Sequence, residues 1–180
     1  MGRLDNKVII VTGAAGGLGR QYSIRFAKEG AKLTIADVQD VATTAELCRA
    51  EGAEVLPLRV DVSSEDEMND MAMQTHNKYG RIDGLLNNAG MMRGLEVKSI
   101  LEVDMETWDR VFAVNARGTF LGVRAVFPYM RDQQSGTIVN VSSGSTLRIS
   151  RGPNAMNPHY VASKSAITGI TRAVARELGQ

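Results

Sequence analysis

Residues 8–19, which read VIIVTGAAGGLG, constrain the fold of this chain more than any other stretch. The four β-branched residues at 8–11 are typical of a strand buried on both faces, and the glycines after them precede an amphipathic helical pattern. Glycine lacks the Cβ that would keep a ligand from the backbone, and a helix N-terminus carries partial positive charge. A strand, a tight turn and a helix in this order predict a site for the pyrophosphate of a dinucleotide.

An acidic residue follows the second predicted strand, residues 32–36. Asp37 lies 18 residues after Gly19, where a carboxylate can accept hydrogen bonds from the hydroxyls of an adenosine ribose. The same residue also fits a plain turn or N-cap position. The charge of Asp37 would repel a 2′-phosphate on the cofactor. The two candidate positions for a basic residue that would accommodate this phosphate, Gly16 in the turn and Val38 after Asp37, are not basic. The sequence therefore favours NAD(H) over the phosphorylated cofactor.

The rest of the chain continues to alternate between strand and helix patterns. Strands are predicted at residues 54–60, 82–86 and 136–141, and helices at 18–29, 40–51, 64–80, from 105 onward and at 158–178. Ser64 followed by Glu67 predicts a capping box at the start of the third helix. Crossovers of this length predict an α/β fold, a doubly wound parallel sheet with helices on both faces.

The ends of the predicted strands carry the candidate binding residues. Ligands of such sheets bind beyond the carboxyl ends of the strands, where the strand order reverses. Here those ends consist of small, polar or glycine residues: 12–19, Asp37, Asp61 with Val62, 88–90 and 142–143. We expect these groups to converge on one edge of the sheet, although Asp61 and Val62 fit an ordinary strand-end turn equally well.

Composition limits the classes of function. A chain of 180 residues with 43% hydrophobic content can bury one substantial core, so residues 1–180 are expected to form a single domain. The net charge of +1 argues against a nucleic-acid partner, and no apolar run reaches the length of a membrane span. The single cysteine, Cys48, excludes an internal disulfide framework and favours a cytoplasmic location for the protein. We expect the Cys48 thiol to be packed or partly packed on its predicted helix.

A tyrosine and a lysine lie one helical turn apart on the last predicted helix, at Tyr160 and Lys164. A phenol has a pKa near ~10 in water, and a neighbouring ammonium group favours the phenolate. Such a tyrosine can exchange a proton with an alcohol or a carbonyl group. Taken alone the pair is ordinary helix surface, but its position after a strand that ends in serines favours catalysis.

The two histidines are not predicted to be catalytic. His159 is expected to be solvated or part of a substrate loop, because neighbours on a helix point about 100° apart. His76 is expected on the surface, and no spacing of His, Cys and carboxylates indicates a metal site. The candidate substrate contacts are Met91, Met92, Arg93, Leu147 and Met156.

These motifs, in this order, resemble those of the short-chain dehydrogenase/reductase family over residues 4–178. TGAAGGLG is similar to the cofactor turn of that family, residues 87–90 to its NNAG segment, 139–143 to its serine strand, and Tyr160 with Lys164 to its YxxxK pair. The resemblance implies a Rossmann-like domain that binds a nicotinamide dinucleotide. The cofactor-binding residues it implies are Gly13, Gly17, Leu18, Gly19, Asp37, Asp61, Val62, Asn88, Ala89, Gly90, Tyr160 and Lys164.

The same resemblance implies catalytic roles. Tyr160 would be the general acid in reduction and the general base in oxidation, and Lys164 would lower its pKa and bond the nicotinamide ribose. Ser143, the last position of the serine strand, would hold the substrate oxygen in preference to Ser142, although the segment from Ser143 to Tyr160 is longer than is usual in the family. Asn115 would position a water of the proton relay. It also fits a core amide satisfied by the backbone at a helix kink.

The sequence thus predicts an NAD(H)-dependent oxidoreductase that interconverts a secondary alcohol and a ketone. The alternatives are a 3-oxoacyl-carrier-protein reductase of the same family, and a relative that binds dinucleotide or oligomerises without turnover. A homodimer or homotetramer is expected through the helices around 105–130 and 158–178. The family fold continues for two more strands and a substrate-covering lobe, so we expect a truncated or partner-dependent chain with impaired activity and its fifth strand at an open edge.

Overall fold

The computed structural model describes residues 2–92, 95, 100–147 and 157–179. The strands are β1 (Val8–Thr12), β2 (Lys32–Asp37), β3 (Val55–Arg59), β4 (Gly84–Asn87) and β5 (Thr137–Asn140). They form one sheet in the order β3-β2-β1-β4-β5, and every pairing is parallel. The strand order reverses at β1, which confirms the predicted doubly wound sheet and places the crevice between the ends of β1 and β4.

Helices connect the strands. They are α1 (Gly17–Lys28), α2 (Ala42–Ala50), α3 (Glu65–Tyr79), α4 (Met105–Phe112), α5 (Gly118–Asp132) and α6 (Pro158–Leu178), with a π-helical segment, Ala113–Arg117, between α4 and α5. The predicted capping box is half formed. Ser64 Oγ accepts from Glu67 N at 3.4 Å, whereas the Glu67 carboxylate accepts from Asp61 N at 2.8 Å. Glu67 thus joins α3 to the end of β3.

Two apolar clusters cover the two faces of the sheet. Ile10 packs with Met68 of α3 and the inner side of α5, whereas Ile9 and Val11 pack with α1 and α2 on the other face. All five β1 residues are buried, which explains why the first four of them are apolar without a break. Cys48 of α2 is buried as predicted, and this burial raises the pKa of its thiol to about 11.

Asp83 joins β1 and β4 at the amino ends of these strands, opposite the candidate site. Its carboxylate accepts from Val8 N at 3.0 Å, from Arg81 Nε at 2.8 Å and Nη2 at 2.6 Å, and from Lys7 Nζ at 3.5 Å. Burial alone would raise the pKa of Asp83. The hydrogen bonds from Arg81 and Val8, with the charges of Arg81 and Lys7, outweigh burial and hold that pKa below its usual range.

The strand β4 begins two residues later than the sequence predicts. The side chain of Gln133 bonds both backbone groups of Ile82, since its Oε1 accepts from Ile82 N at 2.8 Å and its Nε2 donates to Ile82 O at 2.9 Å. Ile82 is therefore buried but does not join the strand ladder. A residue from the end of α5 thus sets the start of β4.

Among the described strands, β5 has a neighbour on one side only, as expected for an open edge. Its Val139 is 51% exposed. A groove of about 540 Å³ lies beside it on the α1 face, between Tyr22 and Phe26 of α1 and residues of β4 and β5. No helix in the described ranges combines the length and the apolar character that crossing a bilayer requires.

Candidate functional site

The turn between β1 and α1 is closely packed and depends on glycine. Gly13 and Gly17 have positive φ angles of 69° and 53°. A Cβ on Gly19 would lie 2.0 Å from Gly13 O, and one on Gly13 would lie 2.7 Å from the Cα of Ala89. Gly16, the N-cap of α1, provides no side-chain cap, and Leu18 is 60% exposed in the first turn of α1. The first backbone N–H groups of α1 therefore point towards the strand ends without a side-chain acceptor.

Asp37 lies at the end of β2 and holds this turn. Its Oδ2 accepts from Ala15 N at 2.9 Å, and its Oδ1 accepts from Gln39 N at 3.0 Å. The turn role that the sequence allowed for Asp37 is therefore present. Each carboxylate oxygen keeps a further lone pair, so these bonds do not prevent Asp37 from accepting from ribose hydroxyls.

Thr12 links the end of β1 to the end of β4, a role that the sequence did not reveal. Its Oγ1 accepts from Asn88 N and from Ala89 N, both at 3.1 Å. The Asn88 side chain returns the contact, because its Nδ2 donates to Thr12 O at 3.0 Å and to Gly13 O at 3.2 Å. The NNAG segment is thereby fixed against the glycine-rich turn.

Asn115 lies in the π segment and is fully buried. Its Oδ1 accepts from Met91 N at 2.7 Å, and its Nδ2 donates to Met91 O at 3.3 Å and to Ser163 Oγ at 3.0 Å. Asn115 therefore is a core amide satisfied partly by backbone, at a point where the helix is irregular. It joins the chain beyond Gly90 to helix α6.

Lys164 places its amine beside the end of β4. Its Nζ donates to Val141 O at 2.8 Å. A Cβ on Gly90 would lie 3.2 Å from this Nζ and 3.4 Å from Asn115 Oδ1, so the three residues meet. Burial lowers the pKa of Lys164 to about 8. Tyr160, one turn earlier on α6, is also buried.

The two serines after β5 have different surroundings. Ser142 Oγ donates to Lys164 O at 2.8 Å and lies 3.4 Å from Thr168 Oγ1, so it anchors α6. Ser143 Oγ lies 2.9 Å from Ser145 Oγ and caps a short 3₁₀ turn, Gly144–Thr146. Among the hydrogen bonds of the described residues, Ser142 contacts α6 and Ser143 does not.

Asp61 and Val62 form a turn at the end of β3. Asp61 Oδ1 accepts from Ser63 N at 2.8 Å and from Ser63 Oγ at 2.7 Å. Val62 is buried against α5, where a Cβ on Gly118 would lie 2.9 Å from Val62 Cγ2. The strand-end turn that the sequence allowed is therefore present, at the same edge of the sheet as Asp37.

The sequence-based prediction for His159 is wrong, because its side chain is 1% exposed. The buried face of α6 consists of two adjacent rows, one with His159, Ser163 and Ile167 and the other with Tyr160 and Lys164. Consecutive residues can both be buried on a face of this width.

His76 also departs from its predicted surface position. It is half-buried and stacks on Tyr129, with 4.7 Å between the ring centroids. Of the candidate substrate contacts, Met91 and Met92 follow the NNAG segment and Leu147 is exposed, whereas Arg93 and Met156 lie outside the described residues.

The fold and the strand-end groups together define a Rossmann-like α/β protein whose glycine-rich turn, buried asparagine and buried lysine lie at one sheet edge. The chain belongs to the short chain dehydrogenase family, whose model matches residues 7–180. It is therefore a member of an oxidoreductase family that acts on CH–OH or carbonyl groups.

Three known proteins illustrate this relationship. The chain is 37% identical to the (2S)-[(R)-hydroxy(phenyl)methyl]succinyl-CoA dehydrogenase subunit BbsD of Thauera aromatica, with 98% of this chain and 69% of that protein aligned. It is 38% identical to the 3-oxoacyl-[acyl-carrier-protein] reductase FabG of Thermotoga maritima, with 98% and 70% aligned. The crystal structure of NAD+-bound xylitol dehydrogenase superposes with a TM-score of 0.90 at 30% identity, covering 98% of this chain and 66% of that one.

Proposed function

We propose that this chain binds NAD(H) and interconverts a secondary alcohol and a ketone by hydride transfer. The observation that carries the proposal is the position of the Lys164 amine. It is buried beside Gly90 and Asn115, and it lies on the same helix as Tyr160, one turn away. The amine is thus at the edge of the sheet where the glycine-rich turn lies, and Tyr160 lies one helical turn before it on α6.

The residues at this edge fit a nicotinamide dinucleotide. Gly13 and Gly19 allow the close packing of the turn, and a Cβ on Gly16 would meet no atom within 4 Å, so the backbone just before α1 is open to a ligand. Gly13, Gly17, Leu18 and Gly19 would hold the pyrophosphate against the N-terminus of α1. The remaining proposed cofactor contacts are Asp37, Asp61, Val62, Asn88, Ala89, Gly90, Tyr160 and Lys164.

The chain's own residues supply the proton chemistry. When bound, the nicotinamide supplies or accepts the hydride. Tyr160 would give its phenolic proton to the substrate oxygen in reduction and take it back in oxidation. With a pKa lowered to about 8 by burial, Lys164 is still mainly protonated at pH 7, so it supplies a positive charge at this edge of the sheet. Ser143 would donate to the substrate oxygen, and Asn115 would position a relay water.

The preference for NAD(H) rests on charge at the end of β2. Asp37 would repel a 2′-phosphate, and Arg20 is engaged with Ala15 O and with Thr44 Oγ1, the latter at 3.0 Å. One observation favours the second candidate, a 3-oxoacyl-carrier-protein reductase that takes the phosphorylated cofactor. Arg59, the partner of Asp37 in the adjacent strand, is exposed and donates from Nε to Val38 O at 3.2 Å. Titration of the chain with NADH and with NADPH, followed by nicotinamide fluorescence, shows which of these two cofactors the chain binds more tightly.

The central test compares Tyr160→Phe with Tyr129→Phe, a control from the α3–α5 contact. A panel of secondary alcohols is oxidised with NAD, and NADH binding is followed by fluorescence. We expect Tyr160→Phe to lower turnover by about 10²–10⁴-fold, since that is the usual contribution of a general acid or base, and to change NADH binding far less, since the other proposed cofactor contacts remain. Tyr129→Phe should keep both. Undiminished turnover in Tyr160→Phe, or no fluorescence change with either cofactor, would refute the proposal.

We also propose that residues 1–180 form one cofactor-binding domain, located in the cytoplasm, that associates as a homodimer or homotetramer. The proposed contacts are the helices around 105–130 and 158–178. Exposed apolar side chains support the first of these, because Met105 is 62% and Phe120 is 42% exposed. Sedimentation velocity of the wild type and of Phe120→Glu tests this. A wild-type monomer at all concentrations would exclude the assembly.

A further inference from the structure

Ser163 connects the two elements that carry the candidate catalytic residues. Its side chain is fully buried, with 0% exposure. Its Oγ accepts from Asn115 Nδ2 at 3.0 Å and donates to Tyr160 O at 2.8 Å. One hydroxyl therefore joins the π segment to the turn of α6 that lies between Tyr160 and Lys164.

Ser163 differs from the other serine in this part of α6. A serine inside a helix commonly donates to a carbonyl one turn earlier, and this bond alone gives the helix no stability. Within the described ranges, Ser165 makes only such a bond, to Val161 O at 2.9 Å, and is exposed. Because Ser163 uses its single proton on Tyr160 O, its lone pairs are left to accept the Asn115 amide.

The contact reaches the Lys164 amine through Asn115. The Asn115 side chain also bonds both backbone groups of Met91, the residue after Gly90. A Cβ on Gly90 would lie 3.2 Å from Lys164 Nζ. The chain Ser163, Asn115 and Met91 thus spans from α6 to the end of β4, and the amine lies between these two elements.

We propose that Ser163 is a positioning residue, which holds α6 at a fixed distance from the segment after Gly90 and so sets Tyr160 and Lys164 in place relative to that segment. The inference rests on the proposed function. It predicts that the Ser163 hydroxyl affects proton transfer at the site more than it affects cofactor binding. The residue would not touch substrate or cofactor.

The first measurement is steady-state kinetics of Ser163→Ala beside the matched control Ser165→Ala. We expect Ser163→Ala to lower kcat about tenfold, the factor that a single buried hydrogen bond is commonly worth. Its KM for NAD and its NADH affinity should change far less than kcat, because the proposed contacts at the glycine-rich turn are not affected. Ser165→Ala should match the wild type in all three. A serine with only a structural role would change thermal stability without this separation of kcat from KM.

The second measurement is the titration of the Lys164 amine by NMR of ¹³Cε-labelled lysine, with the signal assigned by its loss in Lys164→Arg. Burial lowers the pKa of Lys164 to about 8. If Ser163→Ala loosens α6 from the Gly90 segment, water reaches the amine and its pKa rises towards the usual value. In Ser165→Ala the titration should not change. Wild-type kcat together with an unchanged titration in Ser163→Ala would overturn the inference.

The two proposals can fail separately. Full turnover in Tyr160→Phe refutes the proposed function, yet the lysine titration does not require turnover and still decides whether Ser163 positions α6. Loss of turnover in Tyr160→Phe with Ser163→Ala indistinguishable from Ser165→Ala refutes the positioning role alone. Should Ser163→Ala not fold, Ser163→Cys keeps most of the volume with a weaker hydrogen-bonding group, and the same two measurements are applied to it.

Discussion

Replacing Thr12 by Val tests how the candidate cofactor edge is held together. Thr12 is 1% exposed, and its Oγ1 is the acceptor for two backbone donors, Asn88 N and Ala89 N, at 3.1 Å each. Valine keeps the shape of threonine but has no acceptor. A buried donor left without a partner costs about 1–3 kcal/mol, and both donors here are half-buried, so water relieves part of the cost. We expect a loss of about 2–3 kcal/mol of unfolding free energy.

The control for this prediction is Thr34→Val on the neighbouring strand. Thr34 is equally buried, but among the described residues its Oγ1 has a single hydrogen-bond partner, Thr75 Oγ1 at 2.9 Å, and Thr75 Oγ1 lies 2.7 Å from Met71 O. That substitution should cost about 1 kcal/mol or less. Urea unfolding measures both free energies, and fluorescence titration measures the NADH affinity of each variant.

The two threonine variants should also differ in cofactor binding. The backbone N–H groups of Asn88 and Ala89 lose their acceptor only in Thr12→Val, so the Kd for NADH should rise in that variant and not in Thr34→Val. Equal losses of unfolding free energy in the two variants would contradict the reasoning. An unchanged NADH affinity in Thr12→Val would show that the Thr12 bonds do not hold the cofactor edge.

At the opposite edge, Asp83→Asn should cost about 2–3 kcal/mol at pH 7, because the paired carboxylate is replaced by an amide whose N–H groups oppose those of Arg81. The fold lowers the pKa of the Asp83 carboxyl. Its contribution to the unfolding free energy is therefore fully present above the unfolded-state pKa of ~3.9 and is lost as the pH falls through the folded-state pKa. Urea unfolding from pH 7 to pH 2 measures this loss. Gly122→Ala should destabilise the chain by several kcal/mol, about 3 or more, because its Cβ would lie 2.3 Å from Asn87 Oδ1. Gly169→Ala, which meets no atom within 4 Å, should stabilise α6 by about 0.5–1 kcal/mol in thermal unfolding.

A surface carboxylate provides the control for Asp83→Asn, and the two glycine variants serve as controls for each other. Asp132, paired with Arg131 on the surface, gives the control Asp132→Asn, which should change unfolding free energy little at any pH. A constant difference between wild type and Asp83→Asn down to pH 2 would show that the Asp83 carboxylate is not the source of the stability. Equal effects of the two glycine substitutions would contradict the close contact at Gly122.

Local patterns in the sequence predict most of the fold. The continuous apolar run of β1, the glycines after it and the proline at the start of α6 each have a local physical cause, and the bounds of α6 agree with the prediction. The π segment was not predicted, because the long apolar helical pattern runs through it without a break. The start of β4 depends on Gln133, a residue 51 positions away, so no local pattern reports it.

The candidate site follows the same rule: residues with a local pattern could be predicted, and residues defined by distant partners could not. Motif residues such as Asp37 and Lys164 stand out because their chemistry and their position at strand or helix ends are visible locally. Thr12 and Ser163 do not, because their partners lie 76 and 48 positions away and both residue types are common in such elements. His159 was misplaced because the width of the buried face of α6 is set by the elements packed against it.

The central position of β1 has a consequence for how the chain gains and loses its structure. One side of β1 pairs with β2, which follows soon after it in the sequence, but the other side must wait for β4, much later in the chain. A nascent chain that has produced only β1 to β3 therefore exposes one row of β1 backbone groups to any competing strand. Once β4 is in place, each β1 amide is covered on its bonded side by β2 or β4 and lies between two apolar layers, so these amides should be among the slowest to exchange with deuterium.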